Sequence, residues 1–88
     1  MSKALVKCET SDGMFSNECA VTLESGGEKL SLFADKDLIQ KRNGNHYLVV
    51  NLVGTGGAPG FTRILLPSES FEKGTRWVEV SSNLMVNI

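Results

Sequence analysis

Gly26-Gly27 constrains this chain more tightly than any other feature. It separates residues 19–25 from residues 28–34, two stretches in which apolar side chains fall on every second position. A two-residue connection between strands favours a turn with positive φ, which glycine reaches at no steric cost. So short a loop also fixes the pairing. With Ser25 opposite Glu28, Leu23 meets Leu30, Val21 meets Leu32 and Cys19 meets Ala34, while Glu24 meets Lys29 as an attractive cross-strand pair. A slip of one residue would turn the whole apolar set to the wrong face.

The same period of two recurs along the chain. Ala4, Val6 and Cys8 alternate with Leu5, Lys7 and Glu9, which predicts a half-buried strand ended by Ser11-Asp12-Gly13. Residues 35–45 break the alternation. They predict a single helical turn capped by Asp37 and ended by Asn43-Gly44, with Leu38 and Ile39 plugging one end of the core. Residues 46–53 and 61–66 then flank a glycine-rich loop and look apolar on both faces. Tyr47, Val49 and Val53 share one face of the first and Leu48, Val50 and Leu52 the other; Phe61 and Leu65 oppose Ile64 and Leu66 in the second. Such a strand is central between layers, covered by a loop, or part of an interface.

Residues 67–74 predict a second helical turn, capped by Ser68 and released by Gly74. Phe71 would then lie over the open end of a barrel or over the outer face of the 46–66 pair. Arg76–Val80 and Leu84–Ile88 predict a second hairpin, joined by Ser81-Ser82-Asn83, with Val80 against Leu84 and Val78 against Val86. The expectation is one domain over residues 1–88: a small antiparallel, partly open β-barrel, SH3-like or OB-like, of about six or seven short strands with one or two single helical turns. A two-sheet sandwich is the alternative.

Bulk properties narrow the function classes. A net charge of −1 argues against broad non-specific binding to nucleic acid, which needs a cationic surface. No apolar run approaches the roughly 20 residues of a membrane helix, and Met1–Cys8 has no long apolar core of a targeting segment. Cys8 and Cys19 therefore read as reduced, buried thiols of a cytoplasmic protein.

Chemical motifs are sparse. Gly54, Thr55, Gly56, Gly57 and Gly60 form a loop suggestive of a phosphate cradle, but a strand follows it and no Gly-Lys-Ser/Thr appears. It reads instead as a mobile hairpin tip or as a flexible binding loop that a partner would order. His46 is the single histidine, so a thiol enzyme would have to pair it with Cys8 or Cys19. No catalytic signature surrounds any of the three, and their spacing does not suit a zinc site. Neither a metal nor a cofactor is expected, and the chain is not expected to be an enzyme.

Two surfaces remain. Lys41, Arg42, His46 and Arg63 form a candidate basic rim, within a stretch carrying a local charge of +3 between residues 36 and 63. Beside Tyr47 that rim would grip single-stranded RNA, a reading kept as the alternative. Tyr47, Val49, Ile64 and Trp77 form a candidate apolar interaction surface, with Trp77 either capping the core or anchoring a partner. The favoured expectation is a non-catalytic module that binds a protein or a second copy of itself.

Gly13-Met-Phe-Ser-Asn-Glu18, Ser31-Leu-Phe-Ala-Asp-Lys-Asp-Leu38, Leu65-Leu-Pro-Ser-Glu-Ser-Phe-Glu72 and Gly74-Thr-Arg-Trp-Val-Glu-Val80 together resemble small uncharacterised bacterial all-β domain proteins. The resemblance spans most of the chain. It implies a bacterial stand-alone domain and carries no activity, ligand or site residue.

Overall fold

The computed structural model of the chain describes residues 2–55 and 58–87, apart from the side chains of Thr55 and Asn87. Its eight strands are β1 (Ser2–Asp12), β2 (Glu18–Ser25), β3 (Glu28–Asp35), β4 (Ile39–Arg42), β5 (Asn45–Thr55), β6 (Phe61–Leu65), β7 (Trp77–Ser81) and β8 (Met85–Asn87). All pairings are antiparallel, in the order β3-β2-β1-β5-β6-β7, with β4 added to β5 and β8 to β1. The sheet curls into a half-barrel, so that β2 approaches β7 and the Ser25 hydroxyl donates to the Glu79 carbonyl at 2.6 Å. The expected small, partly open antiparallel barrel is what forms.

The β2–β3 hairpin has the register the sequence dictates, from Ser25↔Glu28 to Cys19↔Ala34. Gly26 and Gly27 have φ of 59° and 87°, so both central residues of the turn sit where side chains are disfavoured. Leu23, Leu30, Val21, Leu32, Cys19 and Ala34 all point into the core. That core also takes Val6 and Cys8 from β1, Leu48 and Val50 from β5, Ile64 and Leu66 from the β6 arm, and Val78 and Val80 from β7.

β1 is the hinge of the architecture. Its first part, residues 2–8, pairs with β5, and its last part, residues 9–12, pairs with β2. On the edge that β2 leaves free, β8 adds alongside Ala4, Leu5 and Val6. Leu5 lies on the side of β1 that alternation assigned to polar residues, yet it is fully buried. Its register partners Val49 and Val86 share its face and flank it.

Three expected elements differ. The Asp37-capped helical turn is a 3-10 turn over Lys36–Leu38 that starts after Asp35 and has no side-chain cap. Asn43-Gly44 does not end a helix. Both residues have positive φ, 51° and 82°, and they form the two-residue turn between β4 and β5. Asn-Gly serves either purpose, and β-hairpin pairing of Ile39 with Leu48 wins here because it adds Ile39 to the core.

The expected C-terminal hairpin is absent from the described residues. Ser82–Leu84 is a 3-10 turn, and β8 pairs with β1 rather than with β7, so Val86 opposes Leu5 and not Val78. The turn expected over 67–74 is shorter and is capped elsewhere. Ser70 caps it: its carbonyl accepts from Gly74 N at 2.8 Å and its hydroxyl from Lys73 N at 3.2 Å, and Gly74 leaves at φ 65°. Ser68 instead donates its hydroxyl to the Phe33 carbonyl at 2.6 Å. Phe71 lies neither over an open end nor over the β5–β6 pair. It meets Phe33 of β3 edge to face, with ring centroids 5.2 Å apart.

Candidate functional site

Register assigns the predicted surface residues to faces. Ile64 pairs with Leu52 and Val78 and is 0% exposed, so it belongs to the core and drops out of the interaction surface. The residue beside it, Leu65, takes the outward place, because neighbours on a strand point to opposite faces. Leu65 pairs with Trp77 on one side and Asn51 on the other. Trp77 is 55% exposed, so it does not cap the core. Tyr47 and Val49 are half-buried on the outer face of β5, opposite Lys7 and Leu5. The four candidates therefore reduce to a tryptophan on β7 and two residues nearer β1.

Around Trp77 lies a shallow groove of about 550 Å³. Leu65 and Trp77 line it together with Ser68 and Glu69 from the outgoing arm of the β6–β7 connection and Gly74, Thr75 and Arg76 from the returning arm. Several of its polar groups are held in place. Arg76 Nε donates to the Leu66 carbonyl at 2.8 Å, and Leu66 N donates to the Arg76 carbonyl at the same distance. Thr75 Oγ1 accepts from Trp77 N at 3.1 Å, and Ser68 is engaged with Phe33. The groove is thus an apolar floor with a rim held by the fold.

The basic rim divides. Lys41 and His46 are cross-strand partners, and Arg42 donates to Gln40 at 3.3 Å. Arg63 is elsewhere, opposite Gly54 and paired with Glu79 at 3.5 Å. Gly54 lies eight positions beyond His46 on β5, roughly 26 Å along an extended strand. A different cationic grouping appears instead. Lys7, Tyr47 and Gln40 form one cross-strand row, and Arg42 lies two residues from Gln40 on the same side. The sequence reading missed Lys7, because only the β1–β5 register brings it to Tyr47.

Of the residues expected to form a flexible binding loop, Gly54 and Thr55 close β5, and Gly60 leads into β6 with φ 81°. Gly54 follows a register shift between Leu52 and Gly54, a bulge that leaves Val53 as the extra residue. Gly56 and Gly57 lie outside the described residues.

The fold does bring the thiols and the histidine together. Cys8 is the cross-strand partner of His46, and Cys19, His46, Lys36 and Asp12 border one depression of about 340 Å³. Both cysteines are free and buried. Burial pushes the Cys8 thiol up to about 12, with Cys19 and Glu9 adding to the effect. Burial raises Cys19 too, against the pull of Lys36. An attacking thiol must first become a thiolate, and this environment opposes it. Among the described residues no three His, Cys, Asp or Glu side chains are placed to hold a metal ion. No helix among them is long and apolar enough to cross a membrane.

No family model, curated protein or solved structure matches the chain.

Proposed function

We propose that this chain is a non-catalytic β half-barrel that binds protein, docking through the outer face of its sheet around Trp77. The observation that carries this reading is Trp77 itself. A large aromatic side chain stands 55% exposed beside Leu65, on a face whose neighbouring positions have no need of it for the core. Tryptophan loses little entropy on docking and contributes a large contact area, which is why it recurs at the centre of interfaces. Two free, buried cysteines support a reducing cytoplasmic setting.

The test is a peptide-display selection on the wild-type chain, counter-selected on Trp77→Ala, run beside light scattering of both proteins over a wide concentration range. Binders that need Trp77, or a rise in mass that Trp77→Ala removes, support the reading. Binders indifferent to Trp77 together with a strict monomer overturn it.

The Lys7–Tyr47–Gln40 row with Arg42 favours a second reading, a single-stranded RNA-binding surface at the β4 side of the sheet. Its test is an RNA shift assay at two salt concentrations. Binding that is absent, or that ignores salt, removes it.

A further inference from the structure

The Trp77 groove has a charge pattern that specifies more than a generic apolar contact. Two ion pairs occur among the described residues, Arg63–Glu79 at 3.5 Å and Lys73–Glu28 at 2.8 Å, and neither involves Arg76. Arg76 is exposed, and it borders the groove next to Trp77. One of its five N–H donors is committed: Nε to the Leu66 carbonyl. That bond holds the guanidinium against the start of the outgoing arm, at Leu66. A pinned guanidinium beside an aromatic ring is arranged for a planar, doubly hydrogen-bonded acceptor, and the side-chain acceptor of that shape is a carboxylate. Lys73, which lies near by in sequence, is already engaged with Glu28.

The groove is open and shallow, so it suits a segment laid along it better than an enclosed small molecule. Trp77 follows Arg76 directly in the chain, and Leu65 is the cross-strand partner of Trp77, so both apolar side chains lie close to Arg76. Glu69 also lines the groove, so the groove carries one charge of each sign.

We propose that the groove receives an extended peptide segment of a protein partner in which an Asp or Glu lies within two residues of a large apolar side chain. The apolar side chain rests on Leu65 and Trp77, and the carboxylate is held by Arg76. This rests on the protein-binding reading above and adds the chemistry of the partner. Preorganisation favours it, since the hydrogen bonds that hold Arg76, Thr75 and Ser68 are formed before any partner arrives.

The experiment takes the Trp77-dependent peptides from the selection and measures their affinity through Trp77 fluorescence, which is unambiguous because the chain has one tryptophan. Each peptide is paired with a copy in which its Asp or Glu is the amide. The acidic forms are expected to shift the emission to the blue and to bind about tenfold more tightly than their amides. Arg76→Gln should erase that difference, while Glu69→Gln should leave it intact or enlarge it. Because the change is made in the peptide, the result does not depend on how well Arg76→Gln folds.

Peptides that need Trp77 but bind equally well as amides overturn this proposal and leave the protein-binding reading standing. So do basic peptides that lose affinity in Glu69→Gln. Self-association through Trp77, or salt-sensitive RNA binding weakened by Trp77→Ala, with no acidic peptide selected, overturns it as well. Failure to obtain any Trp77-dependent binder or self-association overturns both.

Discussion

The outer edge of β3 and the outer face of β6–β7 receive opposite treatment from the same segment of chain. Residues 68–72 close the β3 edge. Phe71 N donates to the Ser31 carbonyl at 2.9 Å, the Glu72 carboxylate accepts from Ser31 N at 2.6 Å, and Ser68 donates to the Phe33 carbonyl. Phe71 adds an aromatic contact on Phe33. The same connection then returns through Arg76 to Trp77 and leaves the groove beside Leu65 and Trp77 uncovered. An exposed strand edge templates aggregation, and this one is consumed by intramolecular bonds. Where the chain spends its hydrogen-bonding groups on itself the purpose is structural, and where it leaves Trp77 and Arg76 outward there is room for a partner.

If that division is right, core and edge variants should cost stability while groove variants should not. The largest effect is expected from Ile64→Ala. Ile64 is fully buried among Leu52, Val78 and the rest of the core, so urea unfolding should show a loss of about 2–5 kcal/mol. A loss below about 1 kcal/mol would return Ile64 to the surface on which the sequence first placed it.

Phe71→Pro comes next. It deletes the N–H bonded to Ser31 and bends the chain at Ser70, at an expected cost of about 1–3 kcal/mol. Light scattering should also show slow aggregation as the β3 edge opens. A variant as stable and as monodisperse as the wild type would mean that the 68–72 cover is ornamental.

A smaller effect is expected at Glu72. Its carboxyl lies below the ordinary carboxylate range, chiefly because it accepts from Ser31 N. The folded form therefore holds the proton less tightly than the unfolded chain. That contribution is present in full above the ordinary carboxylate pKa and fades as pH falls through the lowered value. Glu72→Gln should flatten the acid limb of the stability curve relative to wild type, and an unchanged acid limb would show that the contact with Ser31 does not persist in solution.

Trp77→Ala should do least, within about 1 kcal/mol, since more than half of the side chain is already in water. A larger loss would make Trp77 part of the fold and remove the contrast between the two regions.

What the sequence revealed tracks how local each constraint is. The β2–β3 register was legible because Gly26-Gly27 leaves one solution that matches apolar with apolar. The β4–β5 hairpin was legible in principle, since Asn43-Gly44 is a favoured two-residue turn, but the short polar stretch Gln40-Lys41-Arg42 hid the strand. The partner of β8 was not legible. Both β7 and β1 offer valines or leucines at matching intervals, and only Leu5, stranded on the outer side of β1, decides for β1.

The candidate site was half legible. Trp77 is exposed, as one of its two readings required, but Ile64 is buried and was wrongly joined to it, because alternation says which residues share a face and not which face is inside. Arg76 was passed over, since its placement depends on the Leu66 carbonyl meeting it across the β6–β7 connection. Lys7 reached Tyr47 only through long-range pairing.

The pairing of β8 with β1 also bears on how the chain reaches its native state. Leu5 and Val86 stand far apart in the chain, so their contact closes a long loop. Such non-local pairs are slow to form, because the chain entropy is lost before the contact is gained. Until Val86 docks, Leu5 and one edge of β1 remain uncovered. The half-barrel is therefore latched at its seam by its last strand, and the interval before that latch closes is when the protein is most open to mispairing.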